Sequence, residues 1–145
     1  MHQLTGGCHC GNIRVEIALP RPPGDYSPRA CDCDFCRKHG ASYLSDPHGS
    51  LLIRIEDERD GGRYHQGSGT ADCLLCRRCG VLIGATFLCD ERLYAAVNVR
   101  ILDGAAGFAA ELPVSPKKLS QNEKAQRWQT LWFADVSVVN EAGLV

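Results

Sequence analysis

Cys76-Arg77-Arg78-Cys79-Gly80 is the stretch that decides the fold of this chain, together with Cys8-His9-Cys10 near its start. In a Cys-x-x-Cys turn the backbone reverses so that both sulfurs face one point, and a following glycine readily takes the left-handed conformation that such turns often need. A Cys-x-Cys pair on an extended segment directs both sulfurs to one side and His9 to the other, because strand side chains alternate. We therefore predict one closed zinc site, formed by Cys8, Cys10, Cys76 and Cys79, that connects two ends of a sheet.

A second group, Cys31-Asp32-Cys33-Asp34-Phe35-Cys36, has three cysteines within six residues. Structural zinc is usually held by four protein ligands, whereas catalytic zinc has about three and keeps one position open for water or substrate. Local backbone can direct three sulfurs to one face of a tetrahedron. The spacing therefore predicts an open, catalytic zinc site in a loop or turn, with Cys31, Cys33 and Cys36 as its ligands.

Two cysteines lie outside these groups. Cys73 precedes Cys76 by three residues, so a Cys73/Cys76 pair in the closed site stays an alternative to Cys76/Cys79, although Gly80 favours the latter. Cys73 can also complete the second site as a fourth ligand, which would make that site structural. Cys89 is expected to be an ordinary strand residue, because free cysteine often packs as a small hydrophobe.

Composition narrows the class of protein. The length of 145 residues predicts a single domain spanning 1–145, and 15 Gly, 7 Pro and 7% aromatic residues describe a turn-rich chain with short apolar segments. The net charge is −1 and the basic residues are dispersed, so a nucleic-acid partner is not expected. The sequence has neither a signal-like start nor a long apolar run, which predicts a soluble, cytoplasmic protein. Nine cysteines in a reducing compartment favour metal binding over disulfides.

The pattern of apolar residues predicts a mainly β fold with few short helices. Residues 11–19 alternate apolar and polar side chains, as a half-buried strand does. We expect turns at Asp60–Tyr64 and at Gly67–Gly69, and a short helical turn within 37–43 that ends at Gly40. The other predicted elements are strands at Leu51–Ile55, Val81–Phe87, Leu93–Leu102 and Leu131–Val139, and a polar helix at Ser120–Trp128.

The three cysteine groups, with their flanking residues, resemble the family of glutathione-dependent formaldehyde-activating enzymes, which includes centromere protein V. The motifs are Gly7-Cys8-His9-Cys10-Gly11, Cys31-x-Cys33-x-x-Cys36-Arg37 with Gly40-Ala41, Cys76-x-x-Cys79-Gly80, and the weaker Tyr64-x-x-Gly67-Ser68 and Asn98-x-x-x-x-Asp103. The resemblance runs from about Gly6 to Asp103. It implies zinc-stapled antiparallel β-sheets of the Mss4-like (β-tent) type. It also implies structural zinc at Cys8, Cys10, Cys76 and Cys79, and a more labile catalytic zinc at Cys31, Cys33 and Cys36.

The resemblance further implies the reaction of a carbon–sulfur lyase similar to S-hydroxymethylglutathione synthase, with a glutathione-type thiol and a formaldehyde-type aldehyde as partners. This chain has Asp32 and Leu75 where the family often has histidine and an aromatic residue. Those two differences leave all the cysteine ligands in place, but they concern residues that could affect which substrate is bound.

Side chains beside the second cysteine group are candidates for accessory roles. Asp32, Asp34 and His39 could move the proton, and Arg37 and Lys38 could bind the carboxylates of a tripeptide, with solvent exposure as the simpler alternative for all five. A function of a different class is a non-catalytic, zinc-stabilised binding module of the same fold. An exposed sheet edge also predicts a possible homodimer.

Overall fold

The structure is a computed structural model that describes residues 1–65, 70–104 and 107–140 and the backbone of 143–144. Gly67 and Ser68, with the turn expected at Gly67–Gly69, lie outside the described residues. The strands are β1 (His2–Gly7), β2 (Ile13–Leu19), β3 (Arg29–Cys31), β4 (Ser42–Leu44), β5 (Ser50–Ile55), β6 (Gly61–His65), β7 (Asp72–Cys76), β8 (Leu82–Cys89), β9 (Arg92–Asn98), β10 (Leu112–Val114), β11 (Asp135–Asn140) and β12 (Gly143–Leu144). The helices are α1 (Asp34–His39) and α2 (Gln121–Leu131).

These strands form two sheets, so the predicted mainly β fold is confirmed. The first sheet has the order β1-β2-β5-β11-β12, and the second has the order β10-β3-β4-β9-β8-β7-β6. Most neighbours are antiparallel, as expected, but β10 is parallel to β3 and β11 is parallel to β5. Both parallel strands come late in the chain and join the sheets after long connections, which is what parallel pairing requires.

The larger buried cluster contains residues of both sheets. In β2 the residues Ile13, Val15 and Ile17 are buried and alternate with more exposed polar neighbours, so the predicted half-buried strand is confirmed from residue 13 onward. Leu74 and Val97 of the second sheet belong to the same buried cluster. Fully burying a side chain of this size contributes about 1.5–3 kcal/mol to stability. This shared core fixes the two sheets relative to each other, and with them the cysteines that each sheet positions.

Several predicted element boundaries need correction. Asp60–Tyr64 was predicted as a turn, but Gly61–His65 forms the strand β6 because its backbone pairs with β7. The strand expected at Leu93–Leu102 ends at Asn98, where the Asn98 side chain accepts a hydrogen bond from Arg100 N and starts a 3-10 turn. The strand expected at Leu131–Val139 begins only at Asp135, because α2 extends to Leu131.

The predicted helices are confirmed with shifted bounds. The helix α1 begins at Asp34 and ends at His39, and Gly40 follows as the expected C-cap with a left-handed φ of 61°. The helix α2 begins with a capping box in which Ser120 Oγ accepts from Glu123 N and the Glu123 carboxylate accepts from Ser120 N. None of the helices in the described part of the chain is long and apolar enough to cross a membrane.

Candidate functional site

The first cluster brings together the four sulfurs of Cys8, Cys10, Cys76 and Cys79, all within 4.8 Å of one another. The Cys8 and Cys10 sulfurs are 3.7 Å apart, and those of Cys10 and Cys76 are 3.6 Å apart. A tetrahedral zinc with Zn–S bonds of about 2.3 Å has sulfur–sulfur edges of about 3.8 Å. The separations and the all-thiolate donor set therefore fit a closed zinc site.

The local backbone differs from the sequence expectation at the first pair. Cys8 and Cys10 lie in the turn between β1 and β2, not on an extended segment. Ile13 N donates to Cys8 Sγ at 3.2 Å, which orients that sulfur inward. The two pairs also come from different sheets, since β1 belongs to the first sheet and β7 to the second. The cluster thus connects two sheets rather than two ends of one.

The second pair follows the predicted turn. Cys76 ends β7, Gly80 N donates to Cys76 O at 2.7 Å, and Gly80 has a φ of 81°. Burial raises the pKa of the Cys76 thiol to about 12. At Cys79 burial acts in the same direction, but hydrogen bonds from the backbone N–H groups of Cys10 and Val81 outweigh it and lower the pKa to about 6. These backbone donors favour the thiolate, which is the form that binds metal.

The second cluster comprises Cys31, Cys33 and Cys36, with their sulfurs within 4.8 Å of one another. Cys31 ends β3, Cys33 is the N-cap of α1, and Cys36 lies in the first turn of that helix. Cys33 Sγ accepts a hydrogen bond from Cys36 N at 3.4 Å, which fixes the first turn around the sulfurs. Three thiolates at this spacing fit one face of a zinc tetrahedron.

The thiols of the second cluster interact with one another and with Tyr43. A hydrogen bond with Cys36 lowers the pKa of Cys31 to about 6, and the same contact and burial raise the pKa of Cys36. Tyr43 Oη lies 3.1 Å from Cys36 Sγ. Burial and the neighbouring Cys36 sulfur raise the pKa of Tyr43, so its hydroxyl keeps its proton and can donate to that sulfur. Tyr43 was not among the site residues predicted from the sequence.

A cavity of about 140 Å³ opens onto the second cluster. The three cysteines form one part of its lining, and Tyr43, Trp128 and Trp132 form another. The tryptophan rings stack with their centroids 5.0 Å apart, and Trp128 also meets Phe87 edge to face. The three cysteines therefore face a partly aromatic cavity.

Four cationic side chains also line the cavity: Arg29, Lys117, Lys124 and Arg127. Burial, together with repulsion from Arg127, lowers the pKa of Arg29 to about 10. Arg29 donates to Ser45 Oγ, which in turn donates to the carbonyl of Leu131 at the end of α2. The spacing of Lys124, Arg127 and Trp128 is the i, i+3, i+4 pattern of one helix face, and that pattern was the available signal in the sequence.

Cys73 is buried and lines the same cavity, but it is not part of the set of mutually close sulfurs. Burial and the charges of Cys33 and Asp72 raise the pKa of Cys73 to about 12. Cys89 lies outside both clusters near the end of β8, where Gln129 Nε2 lies 3.5 Å from its sulfur.

The accessory residues suggested by the sequence differ in burial. Asp32 Oδ2 accepts from Ser115 Oγ, while Oδ1 is buried and has no hydrogen-bond partner among the described residues. Asp34 and Arg37 form an exposed ion pair at 3.3 Å, and Lys38 and His39 are exposed on α1. None of these side chains lines the cavity. His9 is exposed and outside the first cluster.

A sequence model of the glutathione-dependent formaldehyde-activating enzymes matches residues 3–117 of this chain. The chain belongs to this family. Both cysteine clusters of the family member lie within the matched region, whereas α2 lies beyond it. The protein is also similar to the crystal structure of a Rhodobacter sphaeroides protein, a structural genomics target, at 33% identity. That match covers 70% of this chain and 89% of the other, with a TM-score of 0.52.

Proposed function

We propose that this protein is a zinc-dependent carbon–sulfur lyase that forms or cleaves an S-hydroxymethyl adduct of a glutathione-type thiol and a formaldehyde-type aldehyde. The observation that carries the proposal is the three-cysteine cluster of Cys31, Cys33 and Cys36, which opens onto a cavity instead of being closed by a fourth close sulfur. Family membership supports the choice of glutathione and formaldehyde as the first pair to test.

The two clusters have different duties in this proposal. Cys8, Cys10, Cys76 and Cys79 hold structural zinc, and Cys31, Cys33 and Cys36 hold the zinc of the active site. Zinc bound by three protein thiolates would favour the thiolate form of an incoming thiol, which is the nucleophilic form. In the reaction the sulfur bonds to the aldehyde carbon, and the thiol proton ends on the former carbonyl oxygen; cleavage is the reverse.

Residues of this chain would orient the reactants and handle the proton. Tyr43 Oη lies 3.1 Å from Cys36 Sγ and would donate to that sulfur in its thiolate form, which would hold it in the cluster. Of the three candidate proton carriers, Asp32 has a buried Oδ1 without a hydrogen-bond partner in the described structure, whereas Asp34 and His39 are exposed. None of the three lines the cavity, so each would have to exchange its proton with the reactants through water. The stacked Trp128 and Trp132 give the cavity an apolar wall beside the cysteines.

A non-catalytic, zinc-stabilised binding module is the second candidate. It is favoured by one observation, the buried Cys73 that lines the same cavity as the three cysteines. A movement of Cys73 toward the cluster would complete a four-sulfur site and remove the open position.

The test combines zinc stoichiometry with exchange spectroscopy of glutathione and formaldehyde, in the wild type and in Cys33→Ser. We expect two zinc ions per wild-type chain, one in Cys33→Ser, and protein-dependent exchange only in the wild type. Cys89→Ser is the matched control, since Cys89 lies outside both clusters. One zinc per wild-type chain, with equal exchange rates in wild type and Cys33→Ser, would refute the catalytic proposal.

A further inference from the structure

The helix α2 supplies part of the cavity that faces the second cluster, yet it begins at residue 121, beyond the part of the chain that matches the family. Its position is well determined by contacts. The capping box closes its first turn, and Gln121 Nε2 donates to Thr70 Oγ1 at 2.8 Å. Trp128 packs against Phe87 of β8. The match to the family therefore does not indicate which ligand this part of the cavity binds.

Four cationic side chains line the cavity without a carboxylate partner in the described structure. Arg29, Lys117, Lys124 and Arg127 line it, and none of the four forms an ion pair within the described part of the chain. Arg29 and Arg127 lie close enough to repel each other. A bound anion would relieve this repulsion and would form charge-assisted hydrogen bonds with the guanidinium groups.

The size of the cavity and its aromatic lining restrict the kind of molecule that can bring the anionic group into it. Its volume of about 140 Å³ is close to that of an apolar cavity of about 150 Å³ that binds benzene, and well below the roughly 300 Å³ at which pockets for drug-sized ligands begin. Trp128, Trp132 and Tyr43 supply aromatic surface against which a planar ring can pack. A compact ring fits this space, whereas a larger ligand would extend beyond it.

We propose that this cavity is a subsite for a compact aromatic carboxylate, with the ring against Trp128 and Trp132 and the carboxylate between Arg29 and Arg127. This proposal rests on the proposed function in one respect. The thiol or aldehyde that reaches Cys31, Cys33 and Cys36 would itself carry an aromatic carboxylate. Binding of the carboxylate itself does not depend on turnover.

The chain offers an intrinsic probe, because Trp128 and Trp132 are its two tryptophans and both line the cavity. Tryptophan fluorescence is measured during titration with benzoate, with its neutral analogue benzamide, and with acetate. We expect saturable quenching by benzoate, and binding at least about tenfold weaker for benzamide, which lacks the charge, and for acetate, which lacks the ring. Equal binding of benzoate and benzamide, or no saturable response to benzoate, would overturn the proposal.

The variant Arg127→Gln tests the anion contact, and Lys118→Gln is its matched control. Lys118 carries the same charge next to Lys117 but is exposed and does not line the cavity. We expect Arg127→Gln to weaken benzoate binding by about tenfold or more and to leave benzamide binding unchanged. Lys118→Gln should change neither by more than about twofold. If Arg127→Gln does not fold by circular dichroism, Lys124→Gln replaces it with the same expected direction. Benzoate binding that these cavity variants leave unchanged would overturn the assignment.

A comparison of two thiols distinguishes failure of the aromatic-carboxylate subsite from failure of the proposed function. Exchange with formaldehyde is measured for glutathione and for a mercaptobenzoate, which carries thiol, ring and carboxylate in one small molecule. Faster protein-dependent exchange of the mercaptobenzoate supports both proposals. Exchange of glutathione alone, without a fluorescence response to benzoate, overturns the inference and leaves the proposed function standing. Benzoate binding without exchange of either thiol refutes the proposed function and supports the subsite.

Discussion

The two cysteine clusters differ in where their sulfurs come from. The first draws on pairs separated by more than sixty residues, one in the β1–β2 turn and one at the end of β7, and so joins two sheets. The second takes all three sulfurs from one short segment, Cys31–Cys36, and faces a cavity. A metal held by distant segments stabilises the whole fold, whereas one held by a single turn stabilises little beyond that turn. The proposed division into a structural first cluster and a catalytic second cluster rests on this difference.

The largest expected effect contrasts Cys79→Ser with Cys33→Ser. Cys79→Ser should leave a poorly folded protein, because structural zinc in small zinc domains contributes about 10–16 kcal/mol of apparent binding energy to folding. Cys33→Ser should fold nearly normally, since it removes a ligand from a single turn. Thermal unfolding followed by circular dichroism measures both, and equal midpoints would contradict this division of duties.

A smaller effect is expected from Tyr43→Phe. The substitution removes the hydroxyl that lies 3.1 Å from Cys36 Sγ and keeps the ring in place. Loss of such a partner typically costs about 10–100-fold in metal affinity, so the second cluster should bind zinc more weakly while the first is unaffected. Competition with a coloured zinc chelator should show one weakened and one unchanged site. Tyr94→Phe, at a tyrosine outside the cavity lining, is the control; an unchanged second site in Tyr43→Phe would show that this hydroxyl does not support the cluster.

The smallest effect is expected from Cys73→Ala. Because Cys73 is not among the mutually close sulfurs, its removal should leave the zinc affinity of the second cluster within about twofold of wild type. The same chelator competition measures this. A large drop in affinity would identify Cys73 as a fourth ligand and would favour the binding module over the enzyme.

Much of the fold could be read from local patterns. The alternation in residues 11–19, the Gly40 stop of α1 and the polar helix expected at Ser120–Trp128 each reflect chemistry within a few residues, and each prediction is confirmed with shifted bounds. The strand β6 was missed because Gly61 and Gly62 resemble a turn, and only pairing with β7 makes them extended. The parallel addition of β11 to β5 likewise depends on a long connection that no local pattern encodes.

The sequence by itself determined the three compact cysteine motifs, because ligand spacing within a turn or short segment is a local property, and with them the family resemblance. Only the tertiary structure decided that Cys8 and Cys10 meet Cys76 and Cys79 across two sheets, and that Cys73 stands beside the second cluster without joining it. It also decided that Arg29, Arg127 and the tryptophans surround that cluster. These residues are far apart in the chain, so their meeting depends on the packing of α2 against the second sheet, to which no short stretch of sequence is sensitive.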